Sequence, residues 1–96
     1  MNKTEEAYAQ MLELRKRAGE ILDYRYEAVK LRLAAKTFLT MDFLVVIPDA
    51  IELHEVKGHW EDDARVKIKV AAEQYPWFRF VAVSRIGKAW GVEVFG

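Results

Sequence analysis

The spacing of apolar positions switches between helical and alternating along the chain and predicts elements in the order α-β-β-β-α-β-β. Tyr8, Met11, Leu12 and Arg15 recur at helical spacing, with Leu14 and Ala18 widening the apolar face, so a first helix is expected from about Lys3 to Ala18. Asn2 is its expected N-cap, Glu5 stands at the third helical position as in a capping box, and Gly19 ends it. From about Ile21 to Leu33, Val29, Leu31 and Leu33 alternate with Lys30 and Arg32, the pattern of a half-buried strand. The second strand, about Thr37 to Ile47, ends in the apolar run Phe43 to Ile47, which predicts a central strand buried on both faces. Pro48, Asp49 and Ala50 form a turn into a third strand, about Ile51 to Lys57, that stops at Gly58. Ala64, Ile68, Ala71 and Tyr75 mark a second helix over about Glu61 to Tyr75, with Glu61, Asp62 and Asp63 at its positive end and Pro76 after it. Trp77 to Ser84 and Ala89 to Phe95 close the chain as two strands joined around Gly87. The fold class expected is α+β, one domain over residues 1–96 with a mixed central sheet flanked by helices.

Composition narrows the class of protein. Fifty-two per cent hydrophobic and 31% charged residues describe a globular chain, not a disordered one. Without cysteine there is neither a disulfide nor a thiolate zinc site. No apolar run reaches membrane-span length, and the polar start Met1 to Glu6 does not read as a signal peptide, so the expectation is a cytoplasmic protein with no membrane partner. The formal net charge is zero, from 15 basic and 15 acidic residues. That weighs against a domain that coats DNA electrostatically, but a nuclease needs only its groove to be positive.

The chemistry concentrates on Asp42, Glu55 and Lys57. Glu55 and Lys57 are two apart and share one face of the third strand. A carboxylate and an ammonium on an otherwise apolar strand cost desolvation that a core would not choose. Asp42 lies between apolar neighbours on the preceding strand of the hairpin. Two convergent carboxylates can hold a hard divalent cation, and an adjacent lysine can orient or activate a water.

These residues, on consecutive strands followed by a helix, resemble the PD-(D/E)XK nuclease superfamily. More closely, the chain is similar to small phage and prophage endonuclease-like proteins. The likeness rests on Lys3-Thr4-Glu5-x-x-Tyr8, Thr40-x-Asp42-Phe43-Leu44, His54-Glu55-Val56-Lys57-Gly58-x-Trp60 and Asp63-Ala64-Arg65-x-Lys67-x-Lys69. It implies a restriction-endonuclease-like fold and a metal-dependent endodeoxyribonuclease that hydrolyses phosphodiester bonds, with branched or junction DNA as one substrate and the bacterial host cytoplasm as its location if phage-encoded. It implies Asp42 and Glu55 as ligands of Mg²⁺, or of Mn²⁺ in its place. Lys57 would position the attacking water, and Glu5 would be an additional acid at the metal. Glu5 has a rival role, since a glutamate in a first helical turn is stabilised by capping and by the helix dipole. The family's usual proline before the aspartate is Met41 here, which implies a less stiffly held Asp42.

Arg65, Lys67 and Lys69 are the candidate DNA contacts, with Arg65 foremost because it lies one turn into the helix after the active strand. The run Arg15-Lys16-Arg17 reads as solvated surface, Glu52 as a solvated charge on the strand face opposite Glu55, and Trp60 as core or interface packing. His54 points away from Glu55, and with His59 it lacks the partners of a zinc site. The small size favours a homodimer, in which two sites could cut two strands. The alternatives are a non-catalytic nucleic-acid-binding or assembly module on a nuclease fold, and a nuclease acting on RNA, which attack at phosphate does not distinguish.

Overall fold

The computed structural model describes residues 1–95. Its elements are α1 (Lys3–Arg17), β1 (Asp23–Ala34), β2 (Thr37–Ile47), β3 (Ala50–Lys57), α2 (Asp62–Gln74), β4 (Arg79–Ile86) and β5 (Ala89–Phe95). The predicted order holds throughout. The strands form one five-stranded sheet in sequence order, antiparallel except for β3 and β4, which run parallel because α2 carries the chain from one to the other. Lys36 and Gly87 take positive φ (+59° and +60°) in the tight β1–β2 and β4–β5 hairpin turns.

The sheet separates two cores. On β4, Val81 and Val83 face α1, packing with Tyr8, Leu12, Phe43, Val45 and Val56, whereas Phe80 and Ala82 face α2, packing with Leu53, Ile68 and Ala71. Burying each such aliphatic or aromatic side chain contributes about 1.5–3 kcal/mol, which holds the helices to their faces. Among the described residues no helix is long and apolar enough to cross a membrane.

Four expectations shift. Leu14 does not widen the face of α1; it is 66% exposed, and Glu5, Tyr8 and Leu12 are the buried residues. β1 begins at Asp23, although Ile21 ahead of it is a core residue. β4 begins at Arg79 because Pro76 and Trp77 belong to a turn, and Trp77 is 77% exposed. The end of β2 is central, but only Phe43 and Val45 are fully buried, while Leu44 and Val46 are half-buried.

Candidate active site

Three acidic side chains, from α1, β2 and β3, meet where β2 parts from its neighbours. The ladder between β2 and β3 runs from Ile47–Ala50 to Phe43–His54 and stops there. On its other side, β1 is bulged between Tyr26 and Val29, opposite Phe43 and Met41, with Glu27 at φ +49°. Asp42 therefore lies beside a gap on both flanks. A bulge of this kind increases local twist and re-aims side chains.

Carboxylates fill the gap toward β3. The Asp42 N–H donates to Glu55 Oε1 (3.1 Å), and Asp42 Oδ2 accepts from the Val56 N–H (2.8 Å). Each side chain thus completes the other strand's backbone. Met41 in place of proline leaves Asp42 secured by these two bonds.

Glu5 arrives from the first turn of α1. The expected capping box is present: the Asn2 side chain accepts from the Glu5 N–H (2.8 Å), and Glu5 Oε1 accepts from the Asn2 N–H (2.9 Å). The same Oε1 accepts from the Tyr26 hydroxyl (3.2 Å), and the Glu5 carboxyl also comes within hydrogen-bonding reach of Asp42. Capping and the approach to Asp42 coexist because capping engages one oxygen only.

Crowding shapes the titration. Burial, reinforced by the Asp42 charge, pushes the Glu55 carboxyl up to about 8, against the pull of Lys57. Burial likewise raises Asp42 to about 6, with Glu5 adding to the rise and the Val56 N–H opposing it. For Glu5, burial pushes upward, but hydrogen bonds from Asn2, Asp42 and Tyr26 outweigh it and the carboxyl is lowered. The three groups titrate together, since neighbouring carboxylates cannot all be charged without cost.

Glu55 and Lys57 line a cleft of about 380 Å³ with Leu39, Trp60, Lys67 and Ile68. Lys57 Nζ stands 3.7 Å from Glu55 Oε2. Trp60 is partly buried, and its indole N–H donates to the Val83 carbonyl (3.1 Å). Lys67 shares the cleft, but Arg65 and Lys69 do not. Arg65 makes a forked pair with Glu93 (Nη2 to Oε2, 2.9 Å) and, with Lys69, lines a groove of about 780 Å³ beside Trp77 and Arg79. Arg15, Lys16 and Arg17 pair with Glu20, Asp23 and Glu13 at the surface.

Glu52 is not a free solvated charge. It is largely buried and bonded to His54 Nε2 (2.9 Å) and Arg79 Nη1 (3.0 Å), and the His54 bond holds its carboxyl below the usual range. His54 Nδ1 in turn meets the Tyr8 hydroxyl at 2.6 Å. A carboxylate can only accept, so Nε2 carries the proton toward Glu52, and in the neutral ring Nδ1 accepts from Tyr8. The sequence carried one trace of this row: Glu52 and His54 alternate onto a single strand face, and Tyr8 lies in the apolar stripe of α1.

Among the described residues no three His, Cys, Asp or Glu side chains form a ready-made metal cage. The donors present nonetheless fit a hard ion that binds through one or two carboxylates, keeps several waters and takes the rest from substrate phosphate. They are oxygen donors: Asp42 and Glu55 each spend one oxygen on backbone, and the second Glu55 oxygen faces the Lys57 ammonium at 3.7 Å. Comparison with protein-family models, with curated proteins and with solved structures gave no match.

Proposed function

We propose that the protein is a metal-dependent endodeoxyribonuclease of the restriction-endonuclease-like class, with Asp42 and Glu55 as the metal ligands, Glu5 as the auxiliary acid and Lys57 at the reacting water. The observation that carries the reading is the joining of Asp42 and Glu55 across the open β2–β3 seam, with Glu55 itself lining one cleft beside Lys57 and Lys67. A buried Glu55 and a half-buried Asp42, side by side with raised titration points, support a cation-binding role in addition to their backbone bonds.

A bound Mg²⁺, or Mn²⁺ in its place, would polarise the scissile phosphate and lower the pKa of a coordinated water. The chain's own contributions are distinct. The Val56 and Asp42 N–H groups orient the two carboxylates before substrate arrives. Lys57, 43% exposed, can hold the attacking water and the phosphate charge together. Lys67 adds a cation on the same cleft wall for the flanking backbone, and Arg65 and Lys69 serve DNA beyond it.

The test is cleavage of a DNA panel that includes linear duplex, flap and four-way junction, with Mg²⁺, Mn²⁺ or EDTA, beside Glu55→Gln. Metal-dependent cutting that the variant loses establishes the nuclease and its preferred DNA form. A folded protein that binds DNA but cuts none of the panel is instead the non-catalytic module.

A further inference from the structure

We infer that the Tyr8–His54 hydrogen bond positions Glu5 against Asp42, by setting where α1 stands along the sheet. The consequence for metal binding rests on the nuclease reading; the positioning itself does not.

Helix α1 meets the sheet through Glu5 and Tyr8, one helical turn apart in its first half, and through Glu13 and Lys16 in its second, where Glu13 accepts from the Tyr24 hydroxyl (2.8 Å) and Lys16 pairs with Asp23 (3.2 Å). Glu5 reaches the β1–β2 side, at Tyr26 and Asp42, and Tyr8 reaches β3, at His54. Much of the remaining footprint is apolar, with Leu12 among Phe43, Val45, Val56 and Val83. Apolar contact is non-directional and tolerates a small slide of a helix. A short hydrogen bond between buried groups does not.

His54 is a fixed point for such a bond. It is 2% exposed, and its far nitrogen is tied to Glu52, which Arg79 on β4 holds in turn. The Tyr8 ring is wedged between Phe43 and Trp90, at centroid distances of 5.6 and 5.0 Å. The row Tyr8–His54–Glu52–Arg79 thus spans α1, β3 and β4. A buried polar row is weak evidence for stability, since apolar residues of similar volume serve as well or better. What it supplies is a location. His54 precedes Glu55 on β3, so one short segment anchors the helix that bears one candidate acid and carries another itself.

The experiment uses variants that keep the packing. Tyr8→Phe removes only the hydroxyl. His54→Asn places an amide near the Nδ1 position and keeps the bond to Tyr8, whereas His54→Gln reaches the Nε2 position and keeps only Glu52. With Mn²⁺ as probe in calorimetry, Tyr8→Phe, His54→Gln and Glu5→Gln are each expected to weaken binding about 10-fold. The double variant Tyr8→Phe/Glu5→Gln should be no weaker than Glu5→Gln alone, and His54→Asn should bind as wild type. Wild-type affinity in Tyr8→Phe, or losses that add in the double variant, would overturn the inference. In the metal-free protein, nuclear Overhauser contacts between the Glu5 and Asp42 side chains should vanish in Tyr8→Phe and His54→Gln while those between Leu12 and Phe43 persist. Their survival also overturns it. If the wild type binds no Mn²⁺, the nuclease reading fails and these contacts alone decide the positioning.

Discussion

Asp42 and Glu55 each stand in for the missing rung of the other's strand. The Asp42 N–H is held by Glu55, and the N–H following Glu55 is held by Asp42 (3.1 and 2.8 Å). The pair therefore serves structure and chemistry at once, and substitution can separate the two.

Asp42→Ala leaves the Val56 N–H without its acceptor, at a cost of about 1–3 kcal/mol. Asp42→Asn keeps an acceptor and removes a charge from a crowded site. The alanine variant should melt several degrees below wild type and the asparagine variant at or above it, with neither cutting DNA. Thermal melts beside a cleavage assay check this; equal melting of the two variants would remove the structural half of the pair.

The pH dependence of the metal-free protein follows from the direction of the shifts. Glu55 rises from 4.5 to about 8 and Asp42 from 3.8 to about 6 on folding. Between those values the native form binds more protons than the unfolded chain. Their contribution to stability is therefore complete at acid pH and is lost as pH rises toward 8. Glu5, shifted downward, acts oppositely at the acid end, where protonation costs stability. Melting temperature should fall between pH 6 and 8, Glu55→Gln should flatten that slope, and Mg²⁺ should restore the loss because it replaces the proton. A flat wild-type profile would show that Glu55 ionises normally.

Lys57→Ala is expected to lower cutting about 100-fold or more while Mn²⁺ still binds, because the ammonium is not a ligand. Single-turnover cleavage with calorimetry separates the two effects. Unchanged cutting would leave Lys57 only an ion-pair role with Glu55.

Lys67 and Arg65 should differ in DNA binding. Lys67 shares the cleft with Glu55, so Lys67→Ala should weaken binding and reduce the salt slope by roughly 1. Arg65 is already paired with Glu93, so Arg65→Ala should do less. Fluorescence anisotropy across a salt series distinguishes them, and a larger effect at Arg65 would move the main phosphate contact to the groove beside Trp77.

The legible parts of the fold were local. The capping box at Asn2 and Glu5, the Pro48–Asp49 turn and the helix stop at Gly19 are written in contiguous residues, and each is present. Leu14 misled because helical spacing defines an apolar arc but not how much of it the sheet covers. Glu52 misled because its partners, His54 and Arg79, lie two positions away and on another strand, and only the parallel pairing of β3 with β4 brings Arg79 beside it.

By itself the sequence determined the order of elements, their caps and turns, and the placing of Asp42, Glu55 and Lys57 on neighbouring strands, because periodicity and turn chemistry act over a few residues. Only the tertiary structure decided that Asp42 lies beside gaps on both flanks, that Glu5 reaches it from a distant helix, and that Tyr8 rests on His54. Bulge position, ladder length and helix docking depend on packing between segments far apart in the chain, and no local pattern encodes where such segments meet.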